Sequence, residues 1–104
     1  MKRYRLAPAA RDDLKRISHY IAIERQSPLG DKRLRGRFLD CFRQLAQNPL
    51  LGQACPEFGE NMRIWPVGNY VVLYVPQQDG IDIVQVAHGA RDLPAIVRTP
   101  PAVP

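Results

Sequence analysis

Long apolar runs are missing from this chain. The longest uninterrupted one covers only a few residues, far short of the roughly 20 that a membrane-crossing helix needs. No transmembrane helix and no membrane partner are therefore expected. A secretion signal is missing too. The start, Met1-Lys2-Arg3-Tyr4-Arg5, is basic, but charge returns at Arg11, Asp12 and Asp13 before any apolar core can form, so no signal peptide is expected. Cysteine is scarce. Cys41 and Cys55 fall in different expected elements and make no metal-ligand spacing with the two histidines, His19 and His88. Without a secretion signal they read as two reduced thiols of a cytoplasmic protein, with no disulfide staple and no metal. A Gly-rich phosphate loop and the HExxH, CxxC and GxSxG patterns are all absent, so no cofactor is expected. Negative charge is in deficit as well. Fifteen Lys and Arg face ten Asp and Glu, giving a net charge of +5 and a pI near 9.7. That excess favours an acidic partner, nucleic acid or an acidic protein segment, and does not choose between them.

What is present fits one ordinary globular domain. The 104 residues are 45% apolar and 24% charged, enough for one modest core. The stretch from Asn61 to Asp92 organises the rest. Val67-Gly68-Asn69 and Pro76-Gln77-Gln78-Asp79-Gly80 separate three apolar, β-branched runs, the pattern of consecutive antiparallel hairpins. Strands are expected at about Met62–Trp65, Tyr70–Val75 and Ile81–His88. Val71, Leu73 and Val75 share one face of the middle strand, and Tyr70, Val72 and Tyr74 share the other. Both faces are apolar, so this is an inner strand. One face covers the helices. The tyrosine face is expected to lie partly exposed, with hydroxyls in water.

Upstream, Tyr4-Arg5-Leu6-Ala7 is a short extended run ended by Pro8, which opens a helix. Asp12 and Asp13 are expected to complement the helix dipole. Ala10, Leu14, Ile17 and Ile21 fall on one face. Ala7 is a poor N-cap. Ser27-Pro28 opens a second helix with a good cap, Leu34, Phe38, Cys41, Phe42 and Leu45 form its apolar stripe, and Asn48-Pro49 closes it. The short connection makes an antiparallel helical hairpin. Lys32, Arg33, Arg35, Arg37 and Arg43 make the second helix basic, either as a solvated face or as a rim that attracts an acidic partner. Residues 49–60 form a Pro- and Gly-rich loop that Leu50 and Leu51 are expected to pin to the core. Asp92-Leu93-Pro94 suggests a short terminal helix, and residues 98–104 a Pro-rich flexible tail after a domain spanning residues 1–97.

Among residues that could carry chemistry, His19 reads as a surface residue in the middle of the first helix. His88 ends an apolar strand, with Arg91 three residues on. One reading has His88 moving a proton in RNA cleavage while Arg63 and Arg91 stabilise the phosphorane charge. The other has His88 bonding across the strand end and Arg91 pairing with a carboxylate. Trp65 reads as core. Tyr70 and Tyr74 suit partner contact, with stacking on bases as the alternative.

The ordered set of these residues resembles the ParE branch of the RelE/ParE superfamily, toxins of bacterial type II toxin–antitoxin (plasmid stabilisation) systems. The resemblance covers about residues 3–97. It rests on Leu6-Ala7-Pro8-Ala9-Ala10 with Asp13-Leu14 and Ile17, Tyr20-Ile21-Ala22, and Phe38 to Leu45 leading to Asn48-Pro49 and Gly52. It continues with Met62-Arg63, Pro66 to Tyr70, Val72 to Tyr74, Ile83 to Val86, and His88-Gly89-Ala90-Arg91-Asp92. It implies an α+β fold of order β-α-α-β-β-β(-α), with the N-terminal helical hairpin packed on a small, mostly antiparallel sheet. It implies a ParD-like antitoxin whose acidic tail folds over the toxin. The implied activity is that of a non-catalytic inhibitor of DNA gyrase that blocks replication, with nucleic acid involved only through gyrase or the antitoxin. Partner contact is then expected at Tyr70, Tyr74, Arg33, Arg37, His88 and Arg91. RelE-like relatives instead cut mRNA on the ribosome with clustered basic residues and an aromatic near the C-terminus. Here residues 44–90 hold no lysine and one arginine, Arg63, and no aromatic follows His88. A nuclease using His88, Arg63 and Arg91 is the weaker alternative.

Overall fold

The computed structural model describes residues 2–89. Arg91, the expected terminal helix and the Pro-rich tail lie outside the described residues. Chain order is β1 (Arg3–Leu6), α1 (Pro8–His19), a π-helical turn (Tyr20–Glu24), α2 (Pro28–Gln47), β2 (Gln53–Ala54), β3 (Arg63–Val67), β4 (Tyr70–Gln77) and β5 (Gly80–His88). The strands form one sheet in the order β1-β5-β4-β3-β2. β1 runs parallel to β5 and every other pair is antiparallel. The α+β order follows the expected one, with an added edge strand. The two-residue β2 and a 3-10 turn (Pro56–Phe58) occupy what reads in the sequence as plain loop.

The helices start where the local chemistry puts them. Ser27 Oγ accepts from the Gly30 amide at 3.2 Å, satisfying one donor at the start of α2. Ala7 offers α1 no side-chain cap, and Pro8 removes one donor that would otherwise need a partner. α1 then depends on its packed face. Ala10 and Ile17 are buried, and Leu14 and Ile21 pack beside them. On α2 the stripe Phe38, Cys41, Phe42, Leu45 and Ala46 is buried against the same sheet face. No described helix is long and apolar enough to cross a membrane.

Which sheet face meets the helices corrects one expectation. The main cluster takes Tyr70, Val72 and Tyr74 from β4, with Ile81, Ile83 and Val86 from β5. The tyrosine face is therefore the covered one. Leu73 faces the other way and joins Cys55, Phe58, Met62 and Ile64 in a smaller cluster under the 3-10 turn. Tyr74 is fully buried. Its hydroxyl donates to the Pro49 carbonyl and accepts from the Gly52 amide, both at 2.8 Å. A second correction follows from that bond pair. The loop after α2 is pinned by the tyrosine hydroxyl, whereas Leu50 and Leu51 point to solvent, with Leu50 71% exposed.

β5 changes parity partway. Leu73 pairs with Gln85, but Tyr74 pairs with Ile83, so Val84 is an extra residue that bulges the ladder. This is why Ile83 and Val86, three apart, both point inward. Asp13 serves this irregularity rather than the helix dipole. It is buried on α1, its Oδ2 accepts from the Val86 amide at 3.0 Å, and its Oδ1 accepts from Arg16 at 2.7 Å.

Candidate functional site

The described residues most suited to recognition meet where β4 begins and β5 ends. The register pairs Tyr70 with His88, and on an antiparallel pair such partners lie side by side on one face. That face is the helix side. The two rings stand edge to face, 5.4 Å apart at 80°. Phe38 on α2 supports Tyr70 from below, ring centres 6.0 Å apart. The register of β4 on β5 and the apolar stripe of α2 thus fix two of the expected contact residues together.

Around them the helices fall away and leave two adjoining clefts. One, of about 420 Å³, is walled by Arg16 and Ile17 of α1, Tyr20 of the π-helical turn, and Tyr70, Gln85, Val86 and His88 of the sheet. The other, of about 430 Å³, shares Tyr20, Tyr70 and His88 and adds Ile21, Arg25, Gly30, Leu34, Arg37, Gly68 and Asn69. The π-helical turn places Tyr20 at this junction, and Arg25 caps its end. A one-turn widening of a helix is a common way to re-aim a side chain at a site. Gln26 follows in a left-handed conformation, φ 51°, and turns the chain toward α2.

Arg37 reaches the second cleft from α2. Its guanidinium lies over the β3–β4 turn, where Gly68 has φ 59°. A methyl group on Gly68 would sit 3.1 Å from Arg37 Nη1, so glycine serves both the turn and the approach of the arginine. Arg16 is held by Asp13. Arg25 and Arg37 have no carboxylate within salt-bridge range among the described residues. Among the described residues no Asp or Glu lines either cleft.

The structure therefore unites Tyr70, His88 and Arg37. Arg33 is exposed on α2 but lies outside the cleft walls. Tyr74 does not belong to the site, because a fully buried ring with a satisfied hydroxyl presents nothing to a partner. Arg91 lies outside the described residues. Arg63 is remote from His88. It pairs with Tyr74, whereas His88 pairs with Tyr70, and those tyrosines are four positions apart along β4, about 13 Å. The Arg63 guanidinium donates to the carbonyls of Leu50 and Gly52, so its work is to hold the loop. The general acid/base reading of Arg63 with His88 thus has no common centre. Sequence reasoning missed Arg16, Tyr20 and Arg25 as cleft residues. Tyr20 sits one position before the inward Ile21, a placement at the border of the packed face, and that was the available signal.

Comparison with known proteins fits this architecture. The family model described as "ParE toxin of type II toxin-antitoxin system, parDE" matches residues 4–93. A search of curated proteins finds no match. Among solved structures, a chain of the "Chromosomal ParDE TA system from P. aeruginosa" is similar, with a TM-score of 0.67 at 16% identity. The match covers 85% of this chain and 96% of that one. At that identity the likeness speaks for the fold. The family match, which takes in both helices and all of the described strands but the first residue of β1, shows that the chain belongs to the ParE toxin family of type II toxin–antitoxin systems.

Proposed function

We propose that this ParE-family toxin acts in the cytoplasm by binding DNA gyrase and blocking replication, without an active site of its own, and that a ParD-like antitoxin with an acidic tail neutralises it. The observation that carries the non-catalytic part is the state of the sheet's cations. Backbone cleavage of RNA needs positive charge gathered at the reacting phosphate. The sheet offers one arginine from Gln44 to Gly89, Arg63, and two loop carbonyls occupy it; the arginines that share a cleft with His88 come from the helical side, not from the sheet face. His88 packs edge-on against Tyr70, two strands away. What remains is a recognition surface with Arg37, Tyr70 and His88 on one rim and Arg33 further along α2. An acidic, aromatic-tolerant protein segment suits it.

The test is a supercoiling assay with purified gyrase and the full chain. Inhibition together with accumulated cleaved DNA supports the reading. Unimpaired supercoiling, with mRNA cut in a translation extract, sinks it. A His88→Ala variant sharpens the result. A binding toxin with that change keeps much of its toxicity if it folds, whereas a nuclease dependent on His88 loses orders of magnitude in rate.

A further inference from the structure

Arg25 and Arg37 flank one cleft from two different elements, the end of the π-helical turn and the middle of α2. Among the described residues neither meets a carboxylate, and none of those carboxylates lines the wall. Glu24, next in sequence to Arg25, is exposed and not part of the wall. Arg16 adds a third guanidinium to the adjoining cleft across Tyr20, with its charge partly answered by Asp13 at 2.7 Å. Two guanidiniums with no carboxylate partner among the described residues border one concavity, and an anion held there would offset their mutual repulsion. Asn69 and the β3–β4 turn complete the polar wall.

The chemistry of the donors selects the anion. Each guanidinium presents five N–H donors in a flat fork. Two such forks bring two positive charges, which a single carboxylate answers with one, and a terminal phosphate with three free oxygens answers with up to two. The remaining wall is apolar and aromatic. Tyr20 is 38% exposed, and Ile21 and Leu34 lie beside it, a surface on which a base or sugar can rest. About 430 Å³ is within the range of small-ligand sites.

We propose that this cleft is a phosphate subsite that takes the 5′-phosphate of a mononucleotide unit between Arg25 and Arg37, with the base against Tyr20. Tyr70 and His88 shape the wall beneath. The proposal gives the part of the recognition surface between Arg25 and Arg37 to a nucleotide rather than to an acidic segment, and it fails separately from the gyrase reading, because supercoiling and ligand binding at these amides are measured apart.

The test is an amide-shift NMR titration of the full chain with inorganic phosphate, adenosine monophosphate, a 5′-phosphorylated oligothymidylate, its unphosphorylated counterpart and a hexaglutamate peptide. The phosphorylated ligands are expected to move the amides of Arg25, Gly68, Asn69 and Tyr70. Adenosine monophosphate is expected to bind more tightly than inorganic phosphate. The phosphorylated oligonucleotide is expected to bind more tightly than its unphosphorylated form. Arg25→Gln and Arg37→Gln should each weaken binding at least about tenfold, the loss typical of a charge-assisted hydrogen bond, while Arg43→Gln, an exposed change outside the clefts, should leave it unaltered. Both cleft arginines are exposed, so their variants keep the fold, and dispersed amide spectra verify it. Four results overturn the proposal: shifts elsewhere on the chain, no response to Arg37→Gln, equal binding of inorganic phosphate and the nucleotide, and tighter binding of the glutamate peptide at the same amides. The last would assign the cleft to an acidic protein segment.

Discussion

Tyr74 and Asp13 show how much a single buried polar atom can organise. The Tyr74 hydroxyl bridges Pro49 and Gly52, and burial holds its pKa above the ordinary tyrosine value. Gly52 must be glycine for this contact, since a Cβ there would come within 2.5 Å of the hydroxyl and 2.8 Å of the Ile64 carbonyl. Tyr74→Phe leaves the ring in place but strands the buried Gly52 amide. The expected loss is about 1–3 kcal/mol, read as a lowered urea midpoint with an unchanged m-value. A loss below the error of the measurement would mean that water reaches the loop amide. The sequence hides this role. An apolar strand with two tyrosines reads equally well in either orientation, and tyrosine tolerates both burial and exposure. Nothing local says that a loop carbonyl more than twenty residues upstream will meet the hydroxyl.

At the scale of elements, strand and helix identities were legible because their signals are local. Pro8, Ser27-Pro28, Asn48-Pro49 and the Gly68-Asn69 and Asp79-Gly80 turns each act on their immediate neighbours, and all appear at or beside element ends. The bulge at Val84 was not legible, because it arises from pairing between β4 and β5. A trace of it exists in the shift from odd to even inward residues between Ile83 and Val86. Asp13 connects this irregularity to α1 through the Val86 amide. Asp13→Ala removes the acceptor from that buried amide, so a loss of about 1–3 kcal/mol is expected. The same change speeds hydrogen exchange at Val86 beyond the global effect. Exchange at Val86 that follows global stability alone would show that the carboxylate is not its anchor. At the other end of the sheet, Arg5 of β1 bonds Asp79 and Asp82 and fastens the parallel edge strand to the β4–β5 turn. That pairing lowers the Asp79 pKa from 3.8 to about 2. A lowered carboxylate pKa adds stability that is present above the unfolded value and lost as pH falls through the folded one. The group is solvent-exposed, so the effect is screened and small. Arg5→Ala should bring the Asp79 titration, followed by side-chain NMR, back toward 3.8 and remove this edge's acid sensitivity between roughly pH 4 and 2.

The whole molecule is a sheet with unequal covers, and the two cysteines report on them separately. Cys41 lies in the large cluster between α2 and the sheet, and Cys55 lies in the small one under the 3-10 turn. Both thiols are buried and unpaired. Burial pushes the Cys41 thiol up to about 11, and burial, then the charge of Glu57, raises Cys55. Neither is thus a ready nucleophile at neutral pH, and labelling by a disulfide reagent must wait for opening. The openings differ in size. Exposing Cys41 means parting α2 from β4 and β5, which amounts to unfolding. Exposing Cys55 requires lifting one short turn from Leu73, Met62 and Ile64. Regions with few buried contacts open at lower free energy than the main core. Cys55 is therefore expected to label well before Cys41 in native buffer, and Cys41 to label at the rate set by global stability. The Tyr74→Phe variant should accelerate both, because its hydroxyl ties the loop leading into the small cluster to the strand that runs through the large one. Equal rates for the two thiols would mean that the covers open together. The sheet would then have no locally weaker side, and the loop from Pro49 to Phe58 would be as firmly part of the core as the helical hairpin.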